Sequence, residues 1–183
     1  GLRRDWSSDV CSSDLQSPFS CLHSLPGKPK SDSMVPSLKI PGPLDYPSND
    51  HPTSDTDSNG WPQTARNRAV GLLAQAGALH LCGDQHLGTV AWYGTEHHRD
   101  GTIAFTGPAM ANTFPRRWMP STPGANPAVG APRYTGDYLD GFGNLVTVLA
   151  AANPVVTGRE PALLYDRAPG WGLIKLSPKE QSL

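Results

Sequence analysis

The densest run of chemically capable side chains is His80-Leu81-Cys82-Gly83-Asp84-Gln85-His86-Leu87-Gly88. Asp84 offers a carboxylate oxygen and His86 an imidazole nitrogen, two residues apart. Side chains so spaced on a loop can reach one cation or two adjacent ones. That mix of donors suits calcium, manganese, iron or zinc. Two cations ~3.5–4 Å apart would suit phosphoester hydrolysis, because they hold the attacking hydroxide and the departing oxygen together. Gly83 and Gly88 are expected to let the backbone approach the site closely. Asp-x-His after a strand equally describes an aspartate capping a turn beside a surface histidine.

The elements that must position these residues are legible as local patterns. Residues 78–82 are short, mostly apolar and bounded by Gly77 and Gly83, which predicts a buried strand. Alternation puts His80 and Cys82 on one face. His80 reads as a satisfied core histidine or as a partner orienting a metal ligand, and Cys82 as a small buried apolar residue. Upstream, Asn59-Gly60-Trp61-Pro62 predicts a helix start. Ala69, Leu72, Leu73 and Ala76 predict its buried stripe, with Arg66 and Arg68 among the polar positions, and Gly77 predicts its end. Asp57, Asn59 and Trp61 either line the cleft, with Asn59 beside the ligands, or simply cap the helix around a buried Trp61. Further strands are expected at residues 102–106, 145–151, 162–166 and 172–176, with a Pro/Gly/Arg/Tyr-rich excursion over 115–143. The fold class is α/β.

The N-terminal third has a different character. Residues 1–15 repeat an SSD unit and resemble the translation of a sequencing-library adapter, so they and Cys11 are expected to stand outside the fold. A genuine Ser-rich tail is the alternative. Residues 16–58 hold eight prolines and nine serines with almost no apolar periodicity. They read as a long irregular connection over the surface of the domain formed by 59–183.

The whole chain of 183 residues is 37% hydrophobic, with 19 Gly and 19 Pro. That is one domain's worth, rich in loops. A net charge of −1 argues against nucleic acid or an anionic membrane as partner. No apolar run is long enough for a membrane span, and the N-terminus shows no export signal. Cys11, Cys21 and Cys82 match no zinc-knuckle spacing and do not suggest a disulfide framework.

Other polar clusters are weaker candidates. Arg116-Arg117 before Trp118 could hold a substrate phosphate or form a surface ion pair. Glu96, His97, His98 and Asp100 are either a metal-binding run or solvated loop residues. Tyr134, Asp137, Tyr138 and Asp140 could gate a substrate.

Taken in order, SNGWPQTARNRAV, LCGDQHLG, PRRW, GAPRYTGDYLDGFGN, GREP and DRAPGWGLIKL resemble the C-terminal half of PhoD-like alkaline phosphatases, which are calcineurin-like metallophosphoesterases. The resemblance runs from about Lys39 to Leu176 and implies the C-terminal part of an α/β/β/α sandwich, incomplete here. It implies two metal ions, iron and calcium, with zinc or manganese as alternatives, held in part by Asp84 and His86. It implies a small phosphoester substrate and an extracytoplasmic location. The family's other ligands have no counterpart in residues 16–58, so the chain alone is expected to be inactive. The rival expectation is a non-enzymatic β-rich module presenting Trp92, Tyr93, Trp118 and Tyr134 to a glycan or polymer.

Overall fold

A computed structural model describes residues 12–26, 50–55, 58–110, 112, 116–154 and 168–175. The elements in chain order begin with β1 (Ser12–Asp14), β2 (Ser24–Pro26), β3 (Asp50–Pro52) and α1 (Gln63–Ala76). They continue with β4 (Leu79–Cys82), β5 (Thr89–Tyr93), β6 (Ile103–Thr106), β7 (Gly136–Leu139) and β8 (Leu145–Ala151). Six strands form one sheet in the order β1-β4-β6-β5-β8-β7. β4 runs parallel to both its neighbours, and the remaining pairs are antiparallel. β2 and β3 pair antiparallel as a separate ribbon. The fold is a mixed α/β one, as expected.

Helix α1 starts at Pro62, whose restricted φ of −72° suits the entry to a helix. No side chain caps that start. Asn59, expected there, instead donates from Nδ2 to the Ser17 carbonyl at 3.3 Å. At the far end Gly77 adopts the left-handed conformation (φ 64°), and the N–H groups of Gly77 and Ala78 reach back to the carbonyls of Ala74 and Leu73.

The buried stripe is turned from the expected one. Leu72 is 58% exposed and Ala76 lies outside, whereas Arg66 and Val70 are buried and Ala69 and Leu73 pack on the core. Trp61, expected to be buried, is 62% exposed and stacks on Phe142 at a centroid distance of 6.4 Å.

The stripe turns because Arg66 has work in the interior. Its Nε donates to the Phe19 carbonyl at 2.8 Å and its Nη2 to the Leu145 carbonyl at 3.3 Å. Nη1 donates to the Gly94 carbonyl, and the guanidinium lies 5.4 Å from the centre of the Tyr93 ring. Burial pulls its pKa below arginine's usual value, against the attraction of Asp140. The group stays charged all the same.

Alternation along β5 sends Thr89, Ala91 and Tyr93 to one face of the sheet, where the core lies. Under α1, Phe19, Val70, Tyr93 and Ala104 form one cluster. Beside it Leu22, Leu87, Ala91, Trp118, Tyr138, Val146 and Val148 form another. A register shift between Val90 and Ala91 leaves Leu149 of β8 without a partner on β5, and it turns outward at 43% exposure.

Several expectations need correction. Residues 18–24 do not lie over the surface; they are buried between the sheet, α1 and residues 116–120. Phe19, Cys21 and Leu22 supply apolar anchors that a window dominated by Pro and Ser hides. β5 and β7 fall in stretches where no strand is expected, and β7 lies inside the 115–143 excursion. Residues 172–175 form no strand. Gly172 instead presses on the Phe105 ring, where an added Cβ would come within 2.0 Å. The weak strand expected at 162–166 lies outside the described residues. Ser12–Asp14, inside the adapter-like stretch, pairs parallel with β4 at the edge of the sheet. An open sheet edge accepts any extended segment, whatever its side chains.

Replacing Arg66 with Met keeps the bulk and removes every donor, leaving the carbonyls of Phe19, Gly94 and Leu145 without this partner. Urea unfolding should show a loss of about 2–4 kcal/mol, only partly restored by Arg66→Lys. A Met variant as stable as the parent would show that the guanidinium does not hold these segments.

Candidate metal centre

β4 and β6 are parallel, so Cys82 and Thr106 end side by side at one edge of the sheet. β5 leaves that same edge, with Thr89 paired to Thr106 and Ala151. The loop from Gly83 to Gly88 crosses it. Polar ligands at the carboxyl ends of parallel strands are a recurrent arrangement in α/β proteins.

Within the loop, side chains alternate between inside and outside. Gln85 and Leu87 are 1% exposed, and Leu87 joins the core cluster around Trp118. Asp84 and His86, alternating with them, are half-buried. Both adopt left-handed backbone, with φ of 64° and 54°. That conformation costs an ordinary L-residue about 1–2 kcal/mol and is least unfavourable for Asn, Asp and His. The N–H of Gln85 bonds the Gly83 carbonyl at 2.7 Å, tightening the turn between them.

Partners from distant segments hold the loop. The Ser17 hydroxyl donates to Oδ2 of Asp84 at 2.6 Å, and the Ser17 carbonyl accepts from Asn59 Nδ2. Asn59 therefore reaches the Asp84 neighbourhood through Ser17. The N–H of Gly83 donates to the Gln16 carbonyl at 2.9 Å, and Asn112 Nδ2 donates to the His86 carbonyl at 2.9 Å. Sequence reading missed Ser17 and Asn112, since neither sits near the motif and neither belongs to a recognisable one. Gly88 lies close to the Pro108 ring, where a Cβ would make a tight contact at 3.2 Å. Gly83 has more room, with its nearest neighbour 3.9 Å away.

The other candidate residues lie in different settings. His80 is fully buried, packs on Phe19 at 4.9 Å and shares a 3.0 Å hydrogen bond between its Nδ1 and the Tyr93 hydroxyl. Cys82 lies near the Phe105 carbonyl and the Thr106 hydroxyl, and burial pushes its thiol up to about 11.

Arg116 and Arg117 are buried, not on the surface. Arg116 Nε donates to Asp55 at 2.7 Å, and Arg117 grips Asp50 through Nε at 2.7 Å and Nη2 at 2.8 Å. The forks expected to meet a phosphate meet aspartates from the N-terminal segment instead.

The remaining clusters are built into the scaffold. The Asp100 carboxylate is raised by burial but lowered more by the N–H groups of His97, Thr95 and Glu96, and settles at about 2. His98 Nε2 bonds the Tyr138 carbonyl at 3.0 Å. Asp140, which burial pushes up, accepts the N–H groups of Cys21, Phe142 and Asn144. Asp137 pairs with Arg99 at 3.1 Å. Tyr138 meets Trp118 edge to face at 5.1 Å. Among the glycan-facing aromatics proposed by the rival expectation, Tyr93 and Trp118 are wholly buried.

Among the described residues, no group of three or more His, Cys, Asp or Glu side chains is placed to hold a metal ion. Asp84 and His86 are thus a two-donor set, short of the four or more ligands that such cations take. No helix among the described residues is long and apolar enough to cross a membrane. Comparison with protein-family models, with curated proteins and with solved structures found no match.

Two predictions follow from the geometry of the loop and its surroundings. Asn tolerates left-handed backbone and a β-branched residue does not, so His86→Asn should stay within about 0.5 kcal/mol of the parent while His86→Val loses about 1–2 kcal/mol. Equal unfolding midpoints for the pair would contradict the left-handed assignment.

The second concerns His23, 2% exposed, 3.7 Å from Asp55 and close to both arginines. Burial, then the charge of Arg116, lower it to about 3, against the pull of Asp55. With its folded pKa depressed, the unfolded chain takes up the proton first. Stability is then complete above about pH 6.5 and falls as pH drops toward 3, at up to about 1.4 kcal/mol per unit. Urea unfolding of His23→Asn across that range should show a shallower acid slope. An unchanged slope would assign the acid sensitivity to other groups.

Proposed function

We propose that this chain is part of a PhoD-like, metal-dependent phosphoester hydrolase and that Asp84 and His86 supply some of its metal ligands. The observation that carries the reading is the pair of half-buried, left-handed residues at the edge where β4 ends, alternating with the buried Gln85 and Leu87. Unfavourable backbone held in place by surrounding structure is concentrated at functional sites. The ordered resemblance of the GDQHLG loop and its flanking motifs to the PhoD family adds the reaction class.

An oxygen and an imidazole nitrogen fit a hard or borderline cation, and iron with calcium is the pair the family implies. A cation held there would lower the pKa of a bound water and polarise a phosphoryl oxygen. The chain's own part is to present the ligands. Ser17, by donating to Oδ2 of Asp84, orients the carboxylate and leaves its other oxygen for the ion. With two ligands the chain by itself is inactive, and partners on other segments complete the site. The substrate is a small phosphoester.

The family's two-sheet sandwich has support from the sheet itself. Leu79, Leu81, Ile103 and Phe105 are apolar and half-buried on the face of β4 and β6 opposite His80 and Ala104, so the side away from the core is apolar and partly covered as well. Extracytoplasmic location belongs to the same proposal and rests on the resemblance.

Titration with Mn²⁺, Zn²⁺ and Ca²⁺, read by calorimetry and elemental analysis, is the direct test. Asp84→Ala and His86→Ala should each weaken binding by at least about tenfold. Turnover of p-nitrophenyl phosphate by this chain should stay at the buffer rate. Undiminished metal binding in both variants would remove the assignment, and brisk turnover would overturn the inactivity.

A further inference from the structure

A second site lies on the same sheet, away from the GDQHLG loop. A cleft of about 320 Å³ opens between β5, β8 and the loop before β7. Trp92, Arg99, Asn126, Thr135, Thr147 and Leu149 are among the residues that line it. Trp92 pairs with Ile103 and Thr147, three residues along β5 from Thr89 at the metal edge. That spacing is about 10 Å of strand. The cleft and the loop are separate places.

We propose that this cleft binds an uncharged, ring-shaped polyol, such as one pyranose unit of a glycan. The volume sits at the small end of ligand pockets, enough for one ring. Trp92 donates its indole N–H to the Gly101 carbonyl at 3.2 Å, which fixes the edge of the ring and leaves a flat apolar surface at the cleft. Such a surface suits the C–H face of a sugar.

The polar wall is pre-arranged around one carboxylate. Asp137 accepts from Thr147 Oγ1 at 2.5 Å, from Arg99 Nη2 at 3.1 Å and from Asn126 Nδ2 at 3.0 Å. Arg99 also donates from Nη2 to the Asn126 carbonyl at 3.2 Å and from Nε to Thr147 at 3.4 Å. These bonds leave Nη1 of Arg99 as a donor and Oδ1 of Asn126 as an acceptor without partners among the described residues. A sugar hydroxyl donates and accepts at once, so it meets both. The guanidinium and carboxylate cancel, and the cleft therefore has no spare charge to attract an anion.

The backbone agrees. Arg99, Asn126 and Gly136 all adopt positive φ, at 70°, 49° and 107°, around this one cleft. None of the hydrogen bonds involves Asp84 or His86.

The test is calorimetric and NMR titration of the full chain, with chelator present. The probes are methyl glycosides of glucose, galactose and mannose, their β-linked oligomers, and glucuronate as the charged comparator. At least one neutral probe should bind saturably, unaffected by chelator, and Asn126→Ala and Trp92→Ala should each weaken it at least about tenfold. Asn126 is on a loop, so its variant keeps the test sound if Trp92→Ala unfolds. No neutral probe binding below about 10 mM would overturn the proposal. So would binding unaltered in both variants, or glucuronate binding better than its neutral counterpart. Metal binding by Asp84 and His86 is read separately, and either result leaves the other site's test intact.

Discussion

A buried stretch of backbone needs partners for its N–H and C=O groups, and residues 18–24 find many of theirs without belonging to the main sheet. Their partners come from all over the chain. The Tyr93 hydroxyl accepts the N–H of Phe19, Asp140 that of Cys21, Gln85 that of Leu22, and the Arg117 carbonyl that of Ser24. In the other direction, Arg66 and the N–H groups of Asn59 and Thr53 donate to the carbonyls of Phe19, Pro18 and His23. Helix, sheet and loops are joined through this strip, and Ser17 at its end carries the connection to Asp84.

The same logic explains the unusual polarity of the interior. Asp50, Asp55, Arg116 and Arg117 lie buried beside Ser24 and His23. Removing two ions from water is costly, and attraction repays it only when geometry is good and the remaining lone pairs are filled. Here Asp50 receives two bonds from Arg117 and one from Ser24. Apolar groups of similar bulk would pack as well. Their advantage over such groups is directional: a fork that fits one carboxylate joins the N-terminal segment to residues 116–118 in one register.

The two functional readings draw on different parts of this framework. The metal edge depends on Asp84 and His86, which loop backbone places where the parallel strands end. The cleft depends on the β5-β8-β7 part of the same sheet, where Asp137 gathers its neighbours. At the metal edge Ser17 holds the Asp84 carboxylate, and at the cleft Asp137 holds Arg99, Asn126 and Thr147, which reduces the ordering cost of binding.

Sequence alone determined what near neighbours decide. The 145–151 strand is found as expected. Helix α1 and β4 lie within a residue or so of their expected limits, and the GDQHLG loop stands at the end of its strand. Periodicity, prolines and glycines act over a few residues, and a linear pattern preserves them. Tertiary structure decided the rest. The stripe of α1 turned to Arg66 because its acceptors come from 47 and 79 residues away. Ser17 meets Asp84 across 67 residues, Arg116 meets Asp55 across 61, and Cys21 meets Asp140 across 119. Such pairs are specified only when both ends have been brought together, and nothing in either local stretch marks its partner.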